Sequence, residues 1–251
     1  MEKPYQNKVA IVTGASFGIG RATAILFAQR GAKVAVVDWI EDPETVNQIK
    51  AAGGEAIFIK CDVSKDADVK NMVAETVKTF GRLDYAFNNA GIEGESAPTA
   101  DCTEENFDKV IGINLKGVWF CMKYEIPEML KNGQGAIVNC SSIAGKIGFP
   151  GIPAYTASKH GVIGLTKTAA LEYATTGLRV NAVCPGVIQT PMIDRFVEKN
   201  KTTKEAMISG EPIGRSGKPE EIAEAAIWLC SDASSFTTGH ALVVDGGWVA
   251  Q

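Results

Sequence analysis

Histidine is nearly absent: the chain has only His160 and His240, and its six cysteines (61, 102, 121, 140, 184 and 230) are scattered with no CxxC pair. That argues against a histidine-rich metal centre and against a disulfide framework, and for free, reduced thiols, so no metal is expected. No apolar run approaches the ~20 residues that cross a bilayer. Basic charge is not in excess either. With 25 Lys+Arg against 29 Asp+Glu the net charge is −4, which speaks against nucleic acid or an anionic membrane as the partner. The opening MEKPYQNK leads into KVAIVTG without an apolar h-region, so a cytoplasmic location is expected. Linkers, repeats and low-complexity segments are missing as well. What is present is 251 residues, 45% of them hydrophobic, enough for one sizeable core.

Strand-like apolar runs recur along the chain at 8–13, 33–38, 55–60, 83–89, 135–141, 178–184 and 241–246. Several are nearly continuous β-branched runs, the pattern of strands buried on both faces. Amphipathic segments lie between them. One runs over 20–31 and closes at Gly31; another runs over 64–81, opens at Ser64 as N-cap and closes at Gly81; a long one runs from near Thr103 to near Asn132 with Pro127 disturbing its last turn. This alternation predicts an α/β fold: a single Rossmann-type domain over 1–251, with a doubly wound parallel sheet of about seven strands and helices on both faces. Residues 186–218 form a long connection outside any periodic pattern and are expected to be a substrate-binding loop or lid.

TGASFGIG (13–20) follows the first strand and opens the first helix. Gly14 permits the tight turn, Gly18 the approach of a ligand to backbone, and Gly20 close helix-sheet packing. The helix N-terminus there offers N–H groups to a pyrophosphate, which makes Ser16, Phe17 and Ile19 cofactor contacts too. Asp38 ends the second strand, where it would accept hydrogen bonds from the adenosine ribose and repel a 2′-phosphate. Position 17 is Phe, and Trp39 and Ile40 follow Asp38. None supplies the cation a 2′-phosphate wants, so NAD is expected over NADP. Asp62 and Val63, after the third strand, are candidates for the adenine, with a simple turn acid the alternative for Asp62.

Tyr155 and Lys159 in YTASK stand four positions apart, one helical turn, and so share a face. A free phenol is scarcely ionised at neutral pH. The Lys159 ammonium would stabilise the phenolate, and Tyr155 could then take the hydroxyl proton of an alcohol while hydride leaves its carbon. Ser141 and Ser142 both follow the fifth strand run, and alternation turns Ser141 the other way. Neither is read as a nucleophile, because no histidine base or GxSxG accompanies them. Asn114 lies mid-helix, where asparagine is unfavourable.

The GxxxGxG spacing of 14–20, with DV (62–63), NNAG (88–91), Asn114, SSIAG (141–145), YTASK (155–159) and PGVIQT (185–190) in this order, resembles the short-chain dehydrogenase/reductase family over the whole chain. The resemblance implies a catalytic set of Asn114, Ser142, Tyr155 and Lys159. The family's spacing of about thirteen residues before the tyrosine selects Ser142, which would donate to the substrate oxygen. It further implies that Lys159 binds the nicotinamide ribose, with Tyr155 beside it. Asn114 would bend its helix and hold a water. Asn89, Ala90 and Gly91 would border the adenosine ribose, Asn88 being structural, and Pro185, Gly186, Ile188 and Thr190 would meet the carboxamide. A homotetramer is implied, with the helix carrying Tyr155 (Ala157, Gly161, Gly164, Ala169, Ala170) and the long helix before the fifth strand run on its dimer face.

The expected walls of the substrate pocket are Ile143, Ala144, Ile147, Phe149, Val187, Met192 and Phe196. This apolar set suits a secondary alcohol or ketone with a hydrocarbon body. Glu93 and Glu95 are expected as rim acids. The expected activity is NAD-dependent hydride transfer between such substrates. The competing readings are an NADPH-dependent 3-ketoacyl reductase and an NAD-sensing protein without turnover.

Overall fold

The computed structural model describes residues 4–251, with Lys204 described in its backbone alone; residues 1–3, the start of the segment expected to carry no leader, lie outside the described residues. The strands are β1 (Val9–Thr13), β2 (Lys33–Asp38), β3 (Ala56–Lys60), β4 (Tyr85–Asn88), β5 (Gly135–Cys140), β6 (Leu178–Pro185) and β7 (Ala241–Val244). The helices are α1 (Gly18–Gln29), α2 (Glu44–Ala51), α3 (Asp66–Phe80), α4 (Glu104–Ile111), α5 (Gly117–Lys131), α6 (Pro153–Glu172), α7 (Pro191–Asn200), α8 (Lys204–Ile208) and α9 (Pro219–Cys230). The seven strands pair in the order β3-β2-β1-β4-β5-β6-β7, all parallel. Among the described residues no helix is long and apolar enough to cross a membrane.

Alternation along each strand builds two cores. Ala10, Val12, Val34, Val36 and Phe87 face α1 and α9 through Phe27, Ile222 and Ile227. Ile11, Ala35, Val37, Ala86 and Ile137 face α3, α5 and α6 through Met72, Phe120, Met129 and Val162. Each large side chain removed from water in this way contributes about 1.5–3 kcal/mol. Ala169 and Ala170 belong to the second core, and a Cβ on Gly161 would lie 2.8 Å from Leu115, so much of the small-residue pattern on α6 serves packing within the chain. Ala157 and Gly164 do face outward.

Several local expectations are corrected. Lys65, not Ser64, is the N-cap of α3, because the Ser64 hydroxyl turns back to Asp62 Oδ1 at 2.7 Å. The segment 186–218 is not irregular; it carries α7 and α8, and Pro191 starts α7 in the N-terminal turn where its missing N–H costs nothing. The long helix expected over 103–132 is divided by a π-helical turn, Gly112–Lys116, and continues through Pro127 to Lys131.

Beneath β4 and β5 lies a buried polar network. Asn88 Nδ2 donates to Glu125 Oε2 and to Asn139 Oδ1, each at 3.0 Å, and Asn139 Nδ2 donates to Thr166 Oγ1 at 3.0 Å. Burial pushes the Glu125 carboxyl from 4.5 up to about 7, with the Asn88 hydrogen bond opposing. Above pH ~4.5 the unfolded chain loses this proton while the folded chain keeps it until about 7. The stability contributed is therefore full below the unfolded pKa and is lost as pH rises through the folded one, on the order of 3 kcal/mol in all. Glu125→Gln, neutral throughout, is expected to flatten this slope. Thermal melts of both proteins at about pH 5 and about pH 8 check it, and parallel losses of Tm in the two would contradict it.

Candidate active site

In an open parallel sheet a cleft forms where neighbouring strands send their connections to opposite faces, here between β1 and β4. The NNAG segment stitches this point together. Thr13 Oγ1 accepts from Asn89 N at 2.9 Å and Ala90 N at 3.0 Å, while Asn89 Nδ2 donates to the carbonyls of Thr13 and Gly14 at 3.0 and 3.2 Å. The Asn89 amide is thus committed to the protein, and so is that of Asn88, the residue expected to be structural.

The glycine turn fits a dinucleotide. Gly14 and Gly18 hold φ of +63° and +54°. A Cβ on Gly20 would stand 2.1 Å from the Gly14 carbonyl oxygen, and one on Gly18 3.0 Å from Thr190 Cγ2. Phe17 is an extended N-cap without a side-chain hydrogen bond, and the first turn of α1 holds no acid, so its N–H groups are open to an anion. The Asp38 carboxylate, buried at 8% exposure, accepts from Ser16 N at 3.0 Å and from Ile40 N at 3.2 Å. It braces the glycine turn and keeps lone pairs for ribose hydroxyls. Trp39 is exposed. Arg21, which the sequence pattern did not single out, lies over the Phe17 ring at 5.2 Å and is held by Thr45 Oγ1 and Asp42 at 3.1 Å each. Asp62 Oδ1 accepts from Ser64 N at 3.0 Å, and Val63 packs where a Cβ on Gly117 would touch it at 2.9 Å.

Lys159 is buried at 4% exposure. Its Nζ donates to the Cys140 carbonyl at 2.8 Å and lies 5.5 Å from the Tyr155 ring centroid. Ser141 Oγ donates to the Lys159 carbonyl at 2.9 Å, so its role is to tie β5 to α6. Ser142 Oγ accepts from Ala144 N at 3.1 Å, which leaves its proton free to donate. Asn114, fully buried in the π-helical turn, accepts from Ile92 N at 2.8 Å and donates to Ile92 O at 2.9 Å. A Cβ on Gly91 would meet Asn114 Oδ1 at 3.2 Å and Lys159 Nζ at 3.7 Å; these two side chains therefore converge on Gly91.

At the other end of the cleft, Pro185 closes β6 and Gly186 N donates to Val244 O at 3.0 Å. Ile188 bridges Gly217 in parallel, and Thr190 Oγ1 donates to Ile188 O at 3.2 Å. The rim acids are paired with α7: Glu93 with Arg195 at 3.3 Å and Glu95 with Lys199 at 3.6 Å. Of the expected walls, Ile143, Ala144 and Val187 are buried, whereas Ile147 is 37% exposed. Phe149 meets Trp248, a residue the sequence pattern left out, at 5.8 Å between ring centroids.

The family described as Enoyl-(Acyl carrier protein) reductase matches residues 14–249. Cyclohexanol dehydrogenase of Acinetobacter sp. (strain SE19) is 47% identical over 253 residues, covering 100% of this chain and 98% of that protein. The 2,5-dichloro-2,5-cyclohexadiene-1,4-diol dehydrogenase of Sphingobium indicum (strain DSM 16412 / CCM 7286 / MTCC 6364 / B90A) is 45% identical, covering 97% of this chain and 98% of that one. Among solved structures, levodione reductase superposes with a TM-score of 0.93 at 38% identity, covering 98% of this chain and 99% of that one. With this sheet order, glycine turn and tyrosine-lysine turn, the chain belongs to the short-chain dehydrogenase/reductase family. It is an alcohol dehydrogenase-type oxidoreductase that uses a nicotinamide cofactor.

Proposed function

We propose that the chain is an NAD-dependent dehydrogenase of uncharged cyclic secondary alcohols, running also toward the alcohol from the ketone, with Tyr155 as general acid/base. The observation that carries this reading is the buried Lys159 ammonium, fixed by the Cys140 carbonyl one turn below Tyr155. Tyr155 takes the substrate's hydroxyl proton beside this fixed positive charge. A nicotinamide held by Lys159 and the 186–190 segment would supply the hydride acceptor for the alcohol carbon, or the hydride donor for the ketone. Ser142 donates to the substrate oxygen and stabilises the charge that develops there. Asn114 fixes the segment at Ile92 that borders the site.

Two features support the substrate class. The walls are apolar, and the rim charges Glu93, Glu95, Arg195 and Lys199 pair with one another, which favours an uncharged substrate. Relatives that act on six-membered ring alcohols by name make the ring a fitting body. NAD preference rests on Asp38, which a 2′-phosphate would face; the neighbouring cation, Arg21, is already engaged by Asp42. Residues 186–218 act as the lid. Outward-facing Ala157 and Gly164 on α6, with exposed Trp119 on α5, support the tetramer, and a monomer in analytical ultracentrifugation would remove it.

The test is the absorbance of reduced nicotinamide with cyclohexanol and related alcohols. The expected kcat/KM with NAD exceeds that with NADP on the order of 100-fold, the size of a unit-charge repulsion in a partly desolvated site. Faster reaction with NADP, or with 3-ketoacyl thioesters than with cyclic ketones, would replace this reading by the biosynthetic one.

A further inference from the structure

Glu211 lies between α8 and α9, outside every motif that marks the site. It is buried at 4% exposure, and its Oε1 accepts from Val187 N at 2.6 Å. Its Oε2 has no hydrogen-bond partner. The segment it touches is the one that would meet the nicotinamide. Gly217 N donates to Val187 O, and Gln189 N donates to Gly217 O, both at 2.9 Å. In an extended chain the N–H and C=O of one residue point the same way and those of the next residue point oppositely. Val187 and Gln189 are thereby held on the Gly217 side, and the N–H and C=O of Ile188 turn the other way. That is the side of Thr190, which bonds the Ile188 carbonyl and stands over Gly18.

Glu211 thus completes a ladder that has no strand left to complete it, its carboxylate taking the N–H next beyond the bridge. A Cβ on Gly186 would stand 2.6 Å from Glu211 Oε1 and 2.8 Å from Asp245 Cα, so the carboxylate is confined on the turn that leads into this segment. A buried carboxyl group with one oxygen left unpartnered is costly. Its single bond is spent on the backbone that faces the cofactor.

We infer that Glu211 is a positioning residue for the nicotinamide half of the cofactor: by holding Val187 N–H it aims the Ile188 backbone at the carboxamide, and it links the end of the lid to that site. This rests on the reading that 186–190 receives the nicotinamide. The experiment is calorimetric binding of NADH and of ADP-ribose, which lacks the nicotinamide, to the wild type, Glu211→Met, Glu211→Ala and Glu211→Gln. Met keeps the volume without the acceptor, and serves if Ala does not fold.

Loss of this one buried hydrogen bond should weaken NADH about tenfold in the Met and Ala variants, with ADP-ribose unchanged within about twofold. Gln, whose amide oxygen accepts from the same N–H, should restore NADH affinity. Equal weakening of NADH and ADP-ribose, no change in NADH, or failure of Gln to rescue would each overturn the role of Glu211. If the wild type bound NADH no more tightly than ADP-ribose, the placement of nicotinamide at 186–190 would fall instead, and with it the inference.

Discussion

Tyr155→Phe is expected to lower kcat by about 10²–10⁴-fold, the range that a positioned general acid/base contributes. The ring survives the change, and with it the contact that places Lys159 Nζ 5.5 Å from its centroid. Cofactor affinity and Tm should therefore stay close to wild type, because only one oxygen is removed. The measurement is kcat for cyclohexanol oxidation beside NADH affinity by calorimetry. A variant that kept more than about a tenth of the wild-type kcat would take the proton transfer away from this residue.

Lys159→Met should be as damaging and differ in kind. The ammonium is buried and satisfied by the Cys140 carbonyl at 2.8 Å, so a thioether leaves that carbonyl without its donor and Tyr155 without its cation. The two losses act on different steps. The phenolate loses charge stabilisation, and the cofactor loses a donor proposed to reach its ribose. We expect kcat/KM to fall on the order of 10³-fold or more, with a rise in the dissociation constant of NADH that Tyr155→Phe does not show. Lys159→Arg should fail to rescue, since a broad planar guanidinium replaces the compact ammonium that donates to the Cys140 carbonyl at 2.8 Å. Steady-state kinetics and binding on the same preparations decide it. A variant with altered kcat but unchanged NADH affinity would confine Lys159 to proton transfer.

Much of the fold was legible because parallel strands buried on both faces leave near-continuous apolar runs, and all seven fall where those runs stand. The glycine turn and the Tyr155–Lys159 turn were legible for another reason: their spacing is local, fixed by one tight turn and one turn of helix. What escaped was set at a distance. Glu211 is 24 residues from Val187, Thr13 is 76 from Asn89, and Arg21 is 21 from Asp42. Nothing in the neighbourhood of each announces the partner. Helices α7 and α8 escaped because they are short, 10 and 5 residues, and a proline opens the first of them, a residue that marks a break or a beginning equally well. The π-helical turn left one trace, an asparagine in a helix interior.

Five of the six thiols are buried, at Cys61, Cys121, Cys140, Cys184 and Cys230, and Cys102 is the exception. Burial pushes Cys184 up to about 11 and Cys61 and Cys230 up to about 12, and Cys121 and Cys140 are raised for the same cause. A thiolate is what alkylating dyes and peroxide attack. The native molecule accordingly offers such reagents one handle, Cys102, just before α4, and a maleimide fluorophore can be installed there without engineering any cysteine out.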